Sequence, residues 1–170
     1  KVVDIFSSGR FEVLETIKLG VWKGEDRLPD ALNDVAVLSE RPGKTVSVEV
    51  NIDGTCVFRA RGDGIVLATP VGSTGYARSA GGPVVDPKAE VFVLTPICPS
   101  DLQVPKLVIP TDREVEVKVI QPGETGLLVI DGKLEAHLRI GESVKIRKSG
   151  TPAKFIRWRE FYSKLGEKLL

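Results

Sequence analysis

The sequence predicts a mainly β fold: two packed, largely antiparallel sheets resembling a β-sandwich, with a short helix at the carboxyl end. Two observations support this fold class. Apolar residues recur at every second position through most of the 170 residues, and Gly, Pro and Asp interrupt these runs at short intervals. Three-to-four spacing of apolar residues, typical of an amphipathic helix, is confined to the end of the chain. The helical positions are Phe161, Tyr162, Leu165, Leu169 and Leu170.

The first strands follow in order along the chain. One alternating stretch extends from Phe11 to Val21, and a short apolar run covers Val35–Leu38. The clearest alternation is in Val46–Ile52, which Asp53-Gly54 joins to the next apolar series, Cys56–Ala60. Because Asp-Gly suits a type I′ turn, this pair of strands is predicted to be a hairpin.

Later strands are predicted at Ile65–Ala68, Val115–Val119, Leu127–Ile130, Ala136–Ile140 and around Val144 and Ile146. Asp131-Gly132 predicts a second hairpin turn. The total is about ten strands. With no helical pattern between them, the strands are expected to pair antiparallel in two packed sheets.

Charge and hydropathy exclude several classes of partner. Lys and Arg number 24 against 23 Asp and Glu, a formal net charge of +1, so nothing attracts the chain to nucleic acid or an anionic membrane. No apolar run approaches the roughly 20 residues of a membrane span, and the amino end lacks a signal peptide's apolar core. We therefore expect a cytoplasmic protein with no nucleic-acid or membrane partner.

The few histidines and cysteines limit the chemistry. His137 is the one histidine of the sequence, which leaves no Ser-His-Asp arrangement in this chain. Cys56 and Cys98 are far apart and show no zinc-site spacing, so both are interpreted as reduced, buried thiols. We predict no metal site built by this chain.

The most informative segment is the loop from Gly62 to Pro87, in which a short apolar strand opens into a glycine-rich loop. Its glycines allow positive φ and a close approach of a ligand to the backbone. Its hydroxyl groups can donate and accept hydrogen bonds. The glycines are Gly72, Gly75, Gly81 and Gly82, and the hydroxyl groups belong to Ser73, Thr74 and Ser79. The loop is either a nucleotide pocket or a plain connector.

A planar base fits this loop better than a pyrophosphate does. The loop matches neither GxxxxGK[ST] nor GxGxxG, and no helical pattern follows it. Thr74 and the loop backbone could meet the edge of a base, and Tyr76 could cover part of its face. Asp63, at the mouth of the loop, could accept a hydrogen bond from an amide or amino group.

Asn33 and Asp34 form a second polar pair inside an apolar segment. These side chains could bind ribose hydroxyls. Equally, the pair could make a turn at the start of the strand Val35–Leu38.

At these residues the chain resembles the NAD kinases, which transfer a phosphoryl group from ATP or polyphosphate to the adenosine 2′-hydroxyl of NAD. Ala31–Asp34 corresponds to that family's Ala-Leu-Asn-(Glu or Asp) segment, and Asp63–Gly82 to its Asp-Gly, strand, Thr-Pro-x-Gly-Ser-Thr-x-Tyr and Ser-x-Gly-Gly series. The segment Thr95–Pro99, the strand Leu107–Pro110 and the closing helix are also similar. The resemblance therefore covers nearly the whole chain.

The resemblance implies a role for seven residues. Asn33 and Asp34 would bind ribose hydroxyls and the neighbouring linkage of NAD, and Asp63 an amide or amino group at one end of the dinucleotide. Thr74, the backbone of Gly75 and Tyr76 would meet the adenine, and Ser79 would bind further along the ligand. Two positions depart from the family pattern: Val71 stands where many members have a hydroxyl, and Gly75 where alanine is usual.

The family's Gly-Gly-Asp-Gly motif, whose aspartate is taken to be the base for the 2′-hydroxyl, is absent from this sequence. The resemblance therefore implies a single β-rich, NAD-binding domain over residues 1–170, with no catalytic residue of its own, preceded by an α/β domain that carries the motif. The start at Lys1 and the lack of methionine support the expectation of an excised domain. ATP or polyphosphate with Mg²⁺ is expected for the full enzyme.

Two other readings keep the same fold. Members of the family oligomerise through this region, so the domain is expected to form a homo-oligomer and could serve mainly as an assembly element. Alternatively, it could be the corresponding domain of a lipid kinase with the same two-domain plan.

Overall fold

The computed structural model describes residues 4, 7–9, 11–121, 125–158 and 160–169. Within these residues, fourteen strands form two six-stranded sheets and one two-stranded ribbon. Every strand pair is antiparallel. The predicted fold class, two largely antiparallel sheets with a short terminal helix, is confirmed.

The two sheets have the strand orders β3-β2-β13-β10-β5-β6 and β12-β11-β4-β7-β8-β9, and the ribbon pairs β1 with β14. In the first sheet the bounds are β3 Asp26–Ala31, β2 Leu19–Lys23, β13 Ser143–Lys148, β10 Val115–Val119, β5 Val46–Ile52 and β6 Thr55–Gly62. In the second they are β12 Lys133–Leu138, β11 Gly126–Ile130, β4 Asp34–Ser39, β7 Gly64–Ala68, β8 Val91–Ile97 and β9 Leu107–Pro110. The ribbon consists of β1 Glu12–Thr16 and β14 Ala153–Arg157.

Both predicted hairpin turns are present. Asp53 and Asp131 have φ values of 49° and 48°, and the glycines that follow them have φ values of 78° and 80°. Two successive residues at positive φ are what a type I′ turn requires, and Asp-Gly supplies them with little strain. The first turn joins β5 to β6, and the second joins β11 to β12.

The main core lies between the two six-stranded sheets. Alternate residues of each strand face inward, so the two inner faces meet in one apolar layer. Its largest fully buried side chains include Phe92, Leu19, Ile65, Leu67, Leu94, Leu128, Leu138 and Ile146.

The alternating stretch near the start is two strands rather than one. β1 ends at Thr16 and pairs with β14, whereas β2 begins at Leu19 and pairs with β13 and β3. Between them the Lys18 carbonyl accepts a hydrogen bond from the Ser149 amide at 2.9 Å. Alternation continues through a change of pairing partner, so periodicity alone does not reveal the boundary. This split, together with β3, β8 and β14, raises the count of strands to fourteen.

The terminal helix spans Phe161–Leu169, as predicted; Leu170 lies outside the described residues. The Phe161 and Tyr162 rings meet edge to face, with centroids 5.2 Å apart. Among the described residues, no helix is long and apolar enough to cross a membrane.

Candidate functional site

The predicted site residues lie where the chain passes from one sheet to the other. β3 belongs to the first sheet and β4 to the second, and Leu32 and Asn33 connect them. The second crossing, from β6 to β7, passes through Asp63. The predicted strand Ile65–Ala68 is therefore the central strand β7, and the glycine-rich loop follows it.

The loop folds back over the outer face of the second sheet. Gly72–Thr74 forms one turn of 3₁₀ helix, and Tyr76–Ser79 forms a four-residue α-helix, here called the site helix. Ala77 of this helix packs on a second apolar cluster that includes Ala36, Val66 and Val93. The sequence did not predict the site helix within the loop, because four residues are too few to produce a helical period.

Two hydrogen bonds join the start of the loop to the Asn33 turn, and a third closes the loop on itself. The Thr69 amide donates to the Asn33 carbonyl at 2.8 Å. The Thr69 hydroxyl donates to the Leu32 carbonyl at 2.7 Å and accepts from the Gly72 amide at 3.0 Å. A Cβ on Gly72 would lie 2.0 Å from the Asn33 carbonyl oxygen, so only glycine fits here. The two motifs therefore form one rigid unit.

The loop glycines serve mainly to allow close packing within the protein, and only one of them adopts a positive φ. Of the four loop glycines, Gly81 has a positive φ, +84°. Gly75 has a φ of −101°. A Cβ on Gly82 would lie 2.6 Å from the Thr95 Oγ1 atom, which is buried and without a hydrogen-bond partner. The prediction of positive φ is thus correct for one position of the four.

The loop hydroxyl groups divide into internal and exposed ones. Ser73 is fully buried: its Oγ donates to the Pro70 carbonyl at 2.6 Å and accepts from the Val85 amide at 2.9 Å. Ser73 therefore secures the loop and is not available to a ligand. Thr74 and Ser79 are exposed, and their hydroxyl groups make only long bonds to backbone carbonyls, at 3.3 and 3.4 Å.

The backbone of Gly75 is engaged within the loop. Its amide donates to the Gly72 carbonyl at 2.9 Å, and its carbonyl accepts from the Ser79 amide at 3.2 Å. The Gly75 carbonyl oxygen has a second lone pair that could accept a hydrogen bond from a ligand. The Ser79 hydroxyl, which donates a long bond to the same oxygen, would compete for it.

Tyr76 begins the site helix and is 41% exposed. Partial burial raises the pKa of its phenol, and the negative charges of Asp63, Cys98 and Asp34 raise it further. The ring therefore lies within the electrostatic reach of the acidic residues from both crossings, and it presents a partly exposed aromatic surface between them.

Asp34 is the first residue of β4 and only 9% exposed. Burial raises the pKa of its carboxyl to about 6, and the neighbouring charge of Asp131 adds to the shift. Asp34 is thus poised to change its charge near neutral pH.

Asp131 is a residue that the sequence assigned only to a hairpin turn. Its carboxylate accepts hydrogen bonds from the amides of Leu32 at 2.7 Å, Asn33 at 2.7 Å and Asp34 at 3.0 Å. In return its own amide donates to the Asp34 carbonyl at 3.0 Å. Nothing in the Asp131-Gly132 dipeptide signals this second role, which depends on the pairing of β11 with β4.

Asp63 lies at the other end of β7, near Cys98. The Asp63 amide donates to the Ile97 carbonyl, and its carbonyl accepts from the Ser39 amide. Cys98 has a φ of +44°, and a hydrogen bond to the Asp63 carboxylate raises the pKa of its thiol. Cys98 and Cys56 are both exposed, so the interpretation of buried thiols was wrong. Cys56 follows the hairpin turn on an edge strand, and Cys98 follows the last residue of β8, where packing is incomplete.

The strand register separates the two groups of site residues. Asp34 pairs with Ala68, and Leu38 pairs with Gly64, so Asn33 and Asp34 lie at one end of β7 and Asp63 at the other. The four steps of β7 from Ala68 to Gly64 amount to about 13 Å, and Asp63 lies one residue beyond Gly64. The Tyr76 phenol interacts electrostatically with the acidic residues of both ends, and a ligand that contacts both ends must be extended. Within the described part of the chain, no three His, Cys, Asp or Glu side chains are placed to hold a metal ion.

Two solved structures share this fold. The yeast NADH kinase complexed with NADH matches 99% of this chain with a TM-score of 0.88 and 25% identity, over 51% of that chain. An NAD kinase from Archaeoglobus fulgidus in complex with ATP matches 99% of this chain with a TM-score of 0.81 and 34% identity, over 64% of that chain. The fold is therefore that of the corresponding domain in these nicotinamide adenine dinucleotide kinases.

The sequence comparison specifies the family. Residues 32–158 match the family model described as the ATP-NAD kinase C-terminal domain. An NAD kinase of Methanothermobacter thermautotrophicus is 40% identical over 163 residues, 95% of this chain and 57% of the relative. One of Thermococcus gammatolerans is 41% identical over 151 residues, 88% of this chain and 54% of the relative. The chain belongs to the ATP-NAD kinase family and spans little more than half the length of these relatives.

Proposed function

We propose that this chain is the dinucleotide-binding part of an NAD kinase, which phosphorylates the adenosine 2′-hydroxyl of NAD with ATP as a phosphoryl donor. The observation that carries the proposal is the partly exposed Tyr76 ring, whose phenol interacts electrostatically with both Asp34 and Asp63. Family membership and the similarity to kinases solved with NADH and with ATP support the choice of ligands.

Each polar or aromatic group of the candidate site suits one part of a dinucleotide. Ionised Asp34 and the Asn33 side chain can accept or donate hydrogen bonds at ribose hydroxyls. The Tyr76 ring offers a stacking face for adenine, with Thr74 at the edge of the base. Asp63, at the opposite end of β7, can accept from an amide or amino group. Ser79 extends the polar surface of the site helix.

The binding proposal is tested by titration calorimetry of this chain with NAD and with NADP. We expect heat of binding with at least one of them. A domain of a lipid kinase would give heat with neither, so the absence of heat with both would contradict the proposal.

Replacing Tyr76 with alanine is expected to weaken NAD binding by about 1 to 3 kcal/mol, the amount that base stacking on an aromatic ring typically contributes. The measurement is the dissociation constant from calorimetry, with circular dichroism to confirm the fold. Tyr162→Ala is the matched control, because Tyr162 is 65% exposed on the terminal helix. An unchanged dissociation constant for folded Tyr76→Ala would reject the stacking role.

The chain by itself is expected to produce no NADP from NAD, ATP and Mg²⁺. Phosphoryl transfer depends on groups that hold the phosphates and orient the nucleophile, and the family's Gly-Gly-Asp-Gly motif is absent from this sequence. We place these groups in a preceding domain. An enzymatic assay of NADP formation, with and without that domain, checks this expectation. NADP formation by the 170-residue chain alone would refute the placement of the catalytic groups in the preceding domain.

A further inference from the structure

We propose that Asp131 is a positioning residue for dinucleotide binding: it holds the Asn33–Asp34 turn in the conformation that presents both side chains to the ligand, without contacting the ligand itself. The inference rests on the proposed function, because it gives Asp131 a role in binding the same ligand. It rests on the hydrogen bonds and register of Asp131, which lies 97 residues from Asp34 in sequence.

Asp131 holds the backbone of Leu32–Asp34 through its carboxylate. One carboxylate accepts from three successive backbone amides, and its Oδ1 atom receives two of them. The Leu32 and Asn33 amides belong to the connection that crosses between the sheets, and the Asp34 amide is the first of β4. Ile130 pairs with Val35 across β11 and β4, which places the turn residue Asp131 beside Asp34. Asp131 therefore determines the path of the Leu32–Asp34 backbone from outside the loop.

Asp131 also acts on Asp34 through its negative charge. The Asp131 carboxylate lies next to Asp34, and its negative charge, together with burial, favours the protonated form of Asp34. The strands on either side, β7 and β11, carry only uncharged side chains. The titratable group that faces Asp34 from the site helix is Tyr76. Asp131 therefore acts on Asp34 in two separable ways, through the backbone and through its charge.

Two substitutions separate these effects. Asp131→Asn keeps one acceptor oxygen and tolerates the positive φ of the turn, but removes the charge. Asp131→Gly also suits the turn but removes every side-chain acceptor. Asp53→Asn is the matched control, because Asp53 occupies the other type I′ turn and accepts from the Glu114 amide at 2.9 Å, away from the site.

The experiment measures the NAD dissociation constant by calorimetry from about pH 5 to about pH 8. In the unaltered chain, affinity should rise with pH through a midpoint near 6, as Asp34 ionises. Asp131→Asn should move this midpoint to lower pH, and Asp131→Gly should in addition weaken binding at high pH by about tenfold or more, as expected for lost hydrogen bonds to a charged acceptor. Asp53→Asn should change neither quantity.

A role confined to structural support would lower affinity or stability without moving the midpoint. The proposal is overturned if both Asp131 variants fold, bind NAD as the unaltered chain does and keep its midpoint. If the unaltered chain gives no heat with NAD, the proposed function fails instead. Amide hydrogen exchange at Leu32, Asn33 and Asp34 then tests only whether Asp131 holds this backbone in place. Unchanged exchange rates in Asp131→Gly would reject that role.

Discussion

Replacing Gly72 with alanine is expected to destabilise the chain by about 3 kcal/mol or more and to abolish NAD binding. The added Cβ would lie 2.0 Å from the Asn33 carbonyl oxygen and 2.7 Å from its Cα atom, distances at which atoms overlap. Both contacts are with backbone, so no side chain can rotate away, and overpacking of this kind costs more than the usual range. Relief requires the loop and the Asn33 turn to separate.

The measurement is the free energy of unfolding in urea, followed by calorimetry with NAD on the folded fraction. Gly75→Ala is the matched control, three residues further along the same loop. A Cβ there would meet only the Gly72 carbonyl oxygen, at 3.3 Å, and φ is negative. We expect that variant to stay within about 1 kcal/mol of the unaltered chain. If both variants lost the same free energy of unfolding, the overlap with Asn33 would not be the cause of the Gly72→Ala effect.

Replacing Asp34 with asparagine is expected to stabilise the fold at pH 7.5 by about 2 to 3 kcal/mol while weakening dinucleotide binding. The pKa of Asp34 is raised from 3.8 to about 6, so ionisation opposes folding. Below the ordinary pKa the carboxyl is protonated in the folded and unfolded states, and no cost arises. As pH rises through the folded pKa, the full cost develops. Asparagine carries no charge and removes it.

The expected gain therefore depends on pH: it is small at pH 4, grows up to about pH 6 and is constant above that. Urea unfolding at several pH values checks this. Asp30→Asn is a control of opposite sign. Burial raises the pKa of Asp30, but bonds from Ser149, Arg27 and Lys18 outweigh it and lower that pKa to about 2. Its carboxylate stabilises the fold above pH 4, so Asp30→Asn should destabilise there. A pH-independent effect of Asp34→Asn would contradict the assignment.

At the Asn33–Asp34 turn, stability of the fold and ligand binding place opposite demands on the charge of Asp34. The carboxylate that suits ribose hydroxyls is held where its charge is unfavourable, beside a second carboxylate that shapes the backbone. Binding sites often retain such locally destabilising groups, and removing them commonly trades function for stability.

The sequence predicted the strands most reliably where one face of a sheet is buried and the other is not. Val115–Val119 alternates cleanly because it lies in the first sheet with one face on the core. Val46–Ile52 alternates in sequence as well, although Ser47 and Asn51 on its other face are also buried. The Asp-Gly turns were also recoverable, since two adjacent positive φ values restrict the residues that fit. The boundary between β1 and β2 was not recoverable, because alternation says nothing about which strand is the partner.

For the candidate site, the sequence by itself determined which residue types are available: Asn33, Asp34, Asp63 and Tyr76 are read directly from local patterns and family resemblance. Only the tertiary structure decided how they are arranged. The antiparallel register of β4 with β7 places the two acidic residues at opposite ends of β7, and the pairing of β4 with β11 places Asp131 beside Asp34. Local patterns record the preferences of neighbouring residues, whereas charge coupling and close backbone contact depend on residues that only folding brings together.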